Sequence, residues 1–297
     1  MADPLIDKFI DHISHEKKLS PHTALAYRND LEQFTDFLEK EVSDGNLLHV
    51  NHLSVRSWIA QLMDEGTSAR SVNRKLSSLK SFYKYLLKNQ IIQTDPLQKV
   101  QGPKTPKKLP VFVDESQMEE LFSGIEFEEG FKGVRNKLIL DLLYQTGMRR
   151  AELINLKEQN VDLYNLTIKV LGKRNKERII PISLELKRNL EAYFKVKESE
   201  GLNNPLLFVS PKNKPMKETE IYKLVKEYLS KVTTLGKKSP HVLRHTFATH
   251  LLNNGADINA VKELLGHANL AATQIYTHNT IEKLKKTYKR SHPRSGE

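Results

Sequence analysis

A short segment rich in proline and lysine divides the chain and limits how its two parts can fold. Residues 102–110 contain three prolines, one glycine and three lysines in nine positions. Proline lacks an amide donor and biases the preceding residue to extended geometry, so the segment fits neither a helix nor a central strand. With 297 residues, the chain is long enough for two hydrophobic cores. We therefore expect a linker at 103–110 between a domain at 1–102 and a second domain at 111–297.

The two parts differ in their apolar patterns. Before the linker, apolar residues recur at helical spacing, and Ser20 followed by Pro21 is typical of a helix start. After the linker, helical patterns accompany two short β-type runs at 166–170 and 178–182, joined by a charged turn. Helices are predicted from Pro21 and at 54–63, 68–88, 114–122, 132–146, 184–198, 217–231, 243–253, 258–265 and 270–276, with another starting near 152. The pattern predicts a mostly α protein with a small β-sheet: an all-helical N-terminal domain and an α+β C-terminal domain.

The net charge of +11 favours a nucleic-acid partner, and its distribution is uneven. The first 51 residues carry five Lys/Arg against ten Asp/Glu, so the excess of positive charge begins later in the chain. One face of the predicted helix at 68–88 is apolar and the other is cationic, which fits either phosphate contacts or a solvated helix face. The candidate DNA-binding residues are Arg70, Arg74, Lys75, Lys80, the linker residue Lys104 and Arg174 in the charged turn.

The composition excludes several classes of site. The chain has no cysteine, which removes disulfides, thiolate metal ligands and a cysteine nucleophile, and fits a reducing cytoplasm. No apolar run approaches the roughly 18 residues of a membrane span, and the N-terminus does not resemble a secretory signal. We expect a soluble, cytoplasmic protein without a membrane partner.

Four local clusters combine polar groups with structured apolar runs. In the first, Thr146-Gly-Met-Arg-Arg-Ala-Glu-Leu, Glu152 lies three residues after Arg149 and can hold its guanidinium across one helical turn. The second is the charged turn, where Lys173 can reach a phosphate and deliver a proton. Taken alone, each also fits a surface ion pair or a solvated turn.

The other two clusters lie near the end of the chain. His241 and Arg244, three residues apart, project from one side of a helix start, and Leu264-Leu-Gly-His267 precedes Tyr276 by nine residues. A tyrosine nucleophile needs its proton removed and its target phosphate neutralised, which histidines, a lysine and two arginines would supply. Arginine binds phosphate oxygens through two N–H groups at once.

A metal site is the alternative interpretation of the histidines. His241, His245 and His250 are spaced i, i+4 and i+9, and His267 could add a fourth nitrogen. No acidic or cysteine ligand accompanies them, and the cation of Arg244 lies between the first two, which disfavours Zn²⁺. We expect neither a metal nor another cofactor.

Together and in this order, the clusters resemble the tyrosine recombinase (phage integrase-like) family, in particular its Xer branch. The family pattern is T-G-x-R-x-x-E-L, a lysine on a β-hairpin, H-x-x-R, L-G-H and a tyrosine, and all five parts are present. Residues 19–27 and 74–83 also look like the family's helical, SAM-like core-binding domain, so the resemblance spans nearly the whole chain.

The resemblance implies a role for each matching residue. Arg149 and Arg244 would bind the scissile phosphate, with Glu152 orienting Arg149. His267 would hydrogen-bond the phosphate and help to place Tyr276, which would form a 3′-phosphotyrosine.

Two proton carriers are also implied. His241 would accept the tyrosine proton and Lys173 would protonate the leaving 5′ oxygen. The family's hairpin commonly reads Gly-Lys-Gly, whereas Arg174 replaces the second glycine here. Lys176 is therefore the alternative to Lys173 as the hairpin lysine.

The resemblance further implies a site-specific recombinase that exchanges strands through a Holliday junction, as a homo- or hetero-tetramer on two double-stranded DNA sites. The two domains would close on the duplex from opposite sides. Resolution of chromosome or plasmid dimers at cell division is expected, with a septal DNA translocase as a further partner. The alternatives are an integrase of a phage or mobile element and a non-catalytic DNA-binding protein.

One more helix is predicted at residues 280–290. It would pack either on a neighbouring subunit, as the family resemblance implies, or on its own domain.

Overall fold

The computed structural model describes residues 3–42, 45–106, 111–172, 177–266 and 278–295, and it divides into two compact units, Met1–Lys108 and Leu109–Glu297. In its described residues the first unit is built from helices, and the second combines helices with a three-stranded sheet. The predicted fold class is confirmed. No helix of the described residues is both long enough and apolar enough to span a bilayer.

Polar caps set the helix starts of the N-terminal unit. Asn51 accepts hydrogen bonds from the amides of Leu53 and Ser54 at 2.8 and 3.1 Å, and Ser20 accepts from the amide of Thr23 at 3.2 Å. The cap at Asn51 starts its helix two residues before the predicted position. The helices are α1 (Pro4–Asp11), α2 (Pro21–Phe37), α3 (His52–Asp64) and α4 (Ala69–Lys88), with π turns continuing α1 over His12–Glu16 and α2 over Leu38–Val42. Helix α1 was not predicted from the sequence.

Aromatic side chains fill the core of this unit. Phe34 and Trp58 lie with their ring centroids 4.9 Å apart, and Phe9 meets Phe82 edge to face at 5.4 Å. Trp58 is the only tryptophan in the chain and is 2% exposed. Its fluorescence therefore reports the core of the N-terminal unit alone.

The second unit surrounds one central helix. Its helices are α5 (Glu115–Glu119, continued by a π turn over Glu120–Gly124), α6 (Gly130–Thr146), α7 (Arg150–Ile154), α8 (Leu184–Ser199), α9 (Glu218–Val232), α10 (Pro240–Asn253), α11 (Ile258–Leu265) and α12 (His278–Ser291), and a short 3-10 turn covers Glu158–Asn160. The last two turns of α6 are buried on all sides, as expected of a helix inside a core.

Gly147 ends α6 with a φ of +58°, and a Cβ at this position would lie 2.4 Å from the Phe247 ring. Glycine is therefore required between α6 and Arg149.

The sheet has the order β1-β2-β3 and is antiparallel throughout, with strands β1 (Val161–Asp162), β2 (Thr167–Leu171) and β3 (Glu177–Pro181). The two predicted β runs are confirmed, each displaced by one residue, whereas β1 was not predicted. Ile180 pairs with Ile168 and Arg178 pairs with Val170, and all four are buried. Arg178 thus occupies an inward-facing position of β3, where an apolar residue would be usual.

The predicted helix at 280–290 is present as α12, and it packs on its own unit. Leu284 and Tyr288 are buried, and the Tyr288 hydroxyl donates to Gln145 Oε1 at 3.0 Å. Beyond α12, the Arg294 guanidinium forms ion pairs with Asp141 and Glu185. The predicted helix at 270–276 lies outside the described residues.

Candidate active site

Arg149 is held by Glu152 through both its backbone and its side chain. Arg149 precedes the first residue of α7, and its amide donates to Glu152 Oε2 at 2.7 Å. The Arg149 Nη1 donates to Glu152 Oε1 at 2.8 Å. The ion pair expected from the sequence is therefore present. One carboxylate fixes the helix start and aims the guanidinium, whose side chain is 36% exposed.

The same carboxylate binds a second arginine that the sequence analysis did not single out. Arg178 donates from Nη1 to Glu152 Oε1 at 2.9 Å and from Nη2 to Oε2 at 2.7 Å, and both side chains are buried. Burial alone would raise the pKa of Glu152, but the hydrogen bonds and charges of Arg178 and Arg149 outweigh it and lower the pKa to about 2. Glu152 is therefore an anion at neutral pH. Arginine at an inward position of a strand was the sequence signal for this group.

Arg244 lies on α10 and is buried, with 8% of the residue exposed. Its Nη1 donates to the Gly147 carbonyl at 2.6 Å and its Nη2 donates to the Leu265 carbonyl at 2.7 Å. Burial, then the neighbouring charges of Arg149 and Arg178, lower the pKa of Arg244 to about 10. The side chain remains a cation at neutral pH.

Three consecutive carbonyls at the end of α11 each accept from a different arginine. Leu264 O accepts from Arg178 Nε at 2.8 Å, Leu265 O accepts from Arg244, and Gly266 O accepts from Arg149 Nη2 at 3.4 Å. The last carbonyls of a helix lack partners within the helix and carry its partial negative charge, which suits cations. The end of α11 thus gathers the three guanidiniums next to His267 in sequence.

Gly266 makes this gathering possible. It ends α11 with a φ of +63°, and a Cβ there would lie 3.0 Å from Arg178 Cδ. The left-handed conformation and the close approach both favour glycine. The three arginines and Glu152 leave a net of two positive charges at this point of the described structure.

His241 lies in the first turn of α10 and is exposed. Although the residue is exposed, its imidazole loses part of its hydration, and this loss, followed by the positive charges of Arg244, Lys237 and Arg150, lowers the pKa of His241. A neutral imidazole is therefore favoured near neutral pH, which leaves a ring nitrogen free to accept a proton.

The remaining predicted site residues lie outside the described residues; they are Lys173, Arg174, His267 and Tyr276. Their described neighbours in sequence are Gly172 and Glu177 on the hairpin and Gly266 and His278 on either side of the C-terminal segment. Within the part of the chain that the structure describes, no group of three or more His, Asp or Glu side chains could hold a metal ion.

The cationic helix of the N-terminal unit has its own buried carboxylate. Asp30 on α2 accepts from Arg74 Nη2 at 2.8 Å, from Lys75 Nζ at 3.2 Å and from the Ser78 hydroxyl at 2.7 Å. Arg74 is half exposed, whereas the Lys75 side chain is 15% exposed and also donates to Gln33. Lys75 is thus largely committed to an internal ion pair rather than to a solvated face.

The other cationic candidates of this unit are at the surface. Arg70 and Lys80 on α4 are exposed, and so is Lys104 in the proline-rich segment. Asn73 donates to the Pro103 carbonyl at 2.8 Å, which ties the start of that segment to α4.

The comparisons with known proteins identify the family to which the chain belongs. Residues 111–283 match the model of the phage integrase family, and residues 6–90 match the phage integrase N-terminal SAM-like domain. The chain belongs to the phage integrase family of tyrosine recombinases, and it is an enzyme that recombines DNA at specific sites. The resemblance inferred from the five motifs is confirmed.

The relatives point to the Xer branch of that family. The chain is 40% identical to tyrosine recombinase XerC of Staphylococcus saprophyticus, covering 94% of both chains, and 39% identical to tyrosine recombinase XerC of Pediococcus pentosaceus, covering 98% of both. The fold is similar to that of XerH bound to a palindromic difH substrate, with a TM-score of 0.72 and 22% identity over 97% of both chains. It is also similar to the Tn1549 transposon integrase in complex with transposon DNA, with a TM-score of 0.72 and 20% identity over 95% of this chain and 98% of the other.

Proposed function

We propose that the chain cuts DNA through Tyr276 and resolves dimers of chromosomes or plasmids at cell division. The observation that carries the chemistry is the convergence of Arg149, Arg178 and Arg244 on the end of α11, immediately before His267. A phosphodiester under attack by oxygen gains a second negative charge, and two net positive charges suit that transition state. The similarity to XerC proteins over nearly the whole chain supports dimer resolution.

In the proposed reaction, the Tyr276 oxygen attacks the scissile phosphorus and displaces the 5′ oxygen, leaving a 3′-phosphotyrosine. His241 accepts the phenol proton, and its lowered pKa favours the neutral imidazole that can do so. Lys173 donates a proton to the departing 5′ oxygen. Attack by a free 5′-hydroxyl of the partner duplex then reforms a phosphodiester and releases Tyr276.

Arg149 and Arg244 bind the phosphate in this proposal. A guanidinium has five N–H groups, and the contacts to Glu152 and to backbone carbonyls leave N–H groups on both side chains for phosphate oxygens. Glu152 orients Arg149, and His267 adds a hydrogen bond to the phosphate. Because the phosphotyrosine conserves the energy of the broken bond, strand exchange needs neither ATP nor a divalent metal.

The N-terminal unit would contact the DNA backbone through α4. Arg70, Arg74 and Lys80 are exposed cations of that helix, and Lys75 lies beside Arg74 with Asp30 as their common partner. Lys104 and the hairpin residue Arg174 complete the proposed set.

Two duplexes carry four cuts, so we propose four subunits on two sites and a four-way junction between two rounds of exchange. The subunits are identical or come from two related recombinases, and a septal translocase activates them in the cytoplasm.

The α12 helix contacts its own unit in the isolated chain. Truncation after Thr280 tests a second role on a neighbouring subunit, because unchanged cooperative assembly on DNA would exclude it.

The nucleophile is tested with a nicked suicide substrate that traps the covalent adduct. Tyr276→Phe should bind site DNA but form no SDS-resistant adduct, whereas Tyr164→Phe, at a tyrosine that is 93% exposed, should form it normally. An adduct with Tyr276→Phe would exclude Tyr276 as the nucleophile.

Wild-type cleavage should also survive excess EDTA, and a loss of cleavage that Mg²⁺ restores would contradict the metal-independent reaction.

A further inference from the structure

We propose that Arg178 is a positioning residue for recombination, which holds both Glu152 and the end of α11 where the scissile phosphate binds. The inference rests on the proposed function for the roles of Arg149 and His267. In this role Arg178 contacts neither the phosphate nor the nucleophile. It acts through Glu152 and the end of α11, to which it is hydrogen-bonded.

Three N–H directions of one guanidinium reach two separate parts of the site. The two terminal nitrogens bind both oxygens of Glu152 at 2.7 and 2.9 Å, and Nε binds the Leu264 carbonyl at 2.8 Å. Glu152 fixes Arg149 on one side, and Leu264 lies three residues before His267 on the other. Arg178 therefore links the phosphate-binding arginine to the segment that leads to His267 and Tyr276.

Stability alone does not account for an arginine at this place. Arg178 is 4% exposed on the inward face of β3, beside Val170 and Ile180. A buried ion pair is often replaceable by well-packed apolar residues without loss of stability, so its presence favours a geometric role. The planar fork of arginine matches a carboxylate, and lysine cannot make the same three contacts.

Arg178 also keeps Glu152 ionised. Burial raises the pKa of Glu152, and the hydrogen bonds of Arg178 are the largest influence that lowers it. Without Arg178, protons would compete with Arg149 for Glu152 at a higher pH. The rate of cleavage would then fall on acidification in a range where Glu152 of the wild type stays charged.

The experiment compares Arg178→Lys and Arg178→Met with the wild type, using the full chain and the suicide substrate. A matched control is Arg135→Lys, because Arg135 is equally buried in the same unit but binds Asn136 and the Val209 carbonyl. Two quantities are measured: the Kd for site DNA, and the single-turnover rate of adduct formation at saturating DNA between pH 5 and 8.

Arg178→Lys should lower the rate of adduct formation about 10- to 100-fold, because small displacements of the phosphate-binding group are costly, while the Kd changes little. Arg178→Met should in addition move the acid limb of the pH–rate profile to higher pH. That shift should disappear in the double variant with Glu152→Gln, which has no carboxyl to titrate. Arg135→Lys should leave both the rate and the profile unchanged.

Wild-type rates and profiles for both Arg178 variants would overturn the inference and leave Tyr276 as the nucleophile untouched. It would also be overturned if Arg135→Lys reproduced the same loss and the same shift, since the effect would then be one of general stability. A failure of the Tyr276→Phe test is a separate result, read from the presence of adduct rather than from its rate. If Arg178→Met does not fold, Arg178→Lys with its rate and Kd decides the question.

Discussion

Asp30 lies in the N-terminal unit, and Glu152 lies in the second unit (Leu109–Glu297), which carries the candidate active site and is called the catalytic unit below. Both are buried carboxylates that bind two cations, one near the surface and one deeper. Arg74 and Lys75 are 50% and 15% exposed around Asp30, and Arg149 and Arg178 are 36% and 4% exposed around Glu152. Asp30 accepts hydrogen bonds from three residues of one helix, α4. Glu152 accepts hydrogen bonds from Arg149, at the start of its own helix α7, and from Arg178 on β3, so it joins α7 to β3.

The difference indicates what each carboxylate organises. Asp30 holds α4 and a cation on the surface of that helix, which serves DNA binding in the proposed function. Glu152, through Arg178, is also connected to the end of α11, so it coordinates elements that are far apart in sequence. We therefore expect changes at Asp30 to affect binding and changes at Glu152 to affect the chemical step.

The largest predicted effect is on stability. Glu152→Ala should lower the free energy of unfolding of the catalytic unit by about 3–5 kcal/mol, because it leaves the buried charge of Arg178 without its partner. Urea unfolding followed by far-UV circular dichroism measures the change. The Trp58 fluorescence transition of the N-terminal unit should not move.

The corresponding change in the other unit should cost less. In Asp30→Ala the half-exposed Arg74 regains water, so a loss of about 1–3 kcal/mol is expected, and Trp58 fluorescence should report it. Equal losses in the two units would contradict the contrast between a carboxylate whose arginine partner is half exposed and one whose arginine partner is buried.

Acid should also distinguish the units. Burial lowers the pKa of His292 to about 3, and a histidine with a lowered pKa stabilises the folded state above its unfolded pKa and loses this as the pH falls. Between pH 7.5 and 5.5 the catalytic unit should lose about 1.4 kcal/mol from this group. His292→Gln should flatten that dependence in the circular dichroism transition; an unchanged slope would contradict the assignment.

Among the predicted effects, the smallest concerns single surface cations. Lys80→Gln should weaken DNA binding at all sequences and reduce the slope of log K against log salt by about 1, as expected for one lost phosphate contact. Lys8→Gln is the matched control, an exposed lysine in the acidic first part of the chain. If the two variants had the same slope, α4 would not be the DNA-binding face.

Much of the fold could be predicted from the sequence because its signals are local. The cap at Ser20, the helical spacing of apolar residues and the β-type runs each reflect short-range chemistry, and together they predicted the fold class and most elements. The Arg149–Glu152 pair was also within reach, since its members are one helical turn apart.

The rest of the site depends on contacts between elements. Arg178 is 26 residues from Glu152 and 86 from Leu264, so no local pattern connects them. The internal pairing of Lys75 with Asp30 spans 45 residues, and helical spacing alone assigned Lys75 to an open face. For the Arg178 contacts, the available sign in the sequence was an arginine between apolar strand residues. For the Asp30–Lys75 pair, the sign was an aspartate on α2, which faces the cationic helix α4.

The most direct test of this division of labour measures Asp30→Asn and Glu152→Gln side by side. The Kd for site DNA and the single-turnover rate of adduct formation at saturating DNA are determined for both. Asp30→Asn should weaken binding but keep the wild-type rate, whereas Glu152→Gln should keep the affinity and lose rate. The same pattern in both variants, or the reverse pattern, would contradict this division of labour.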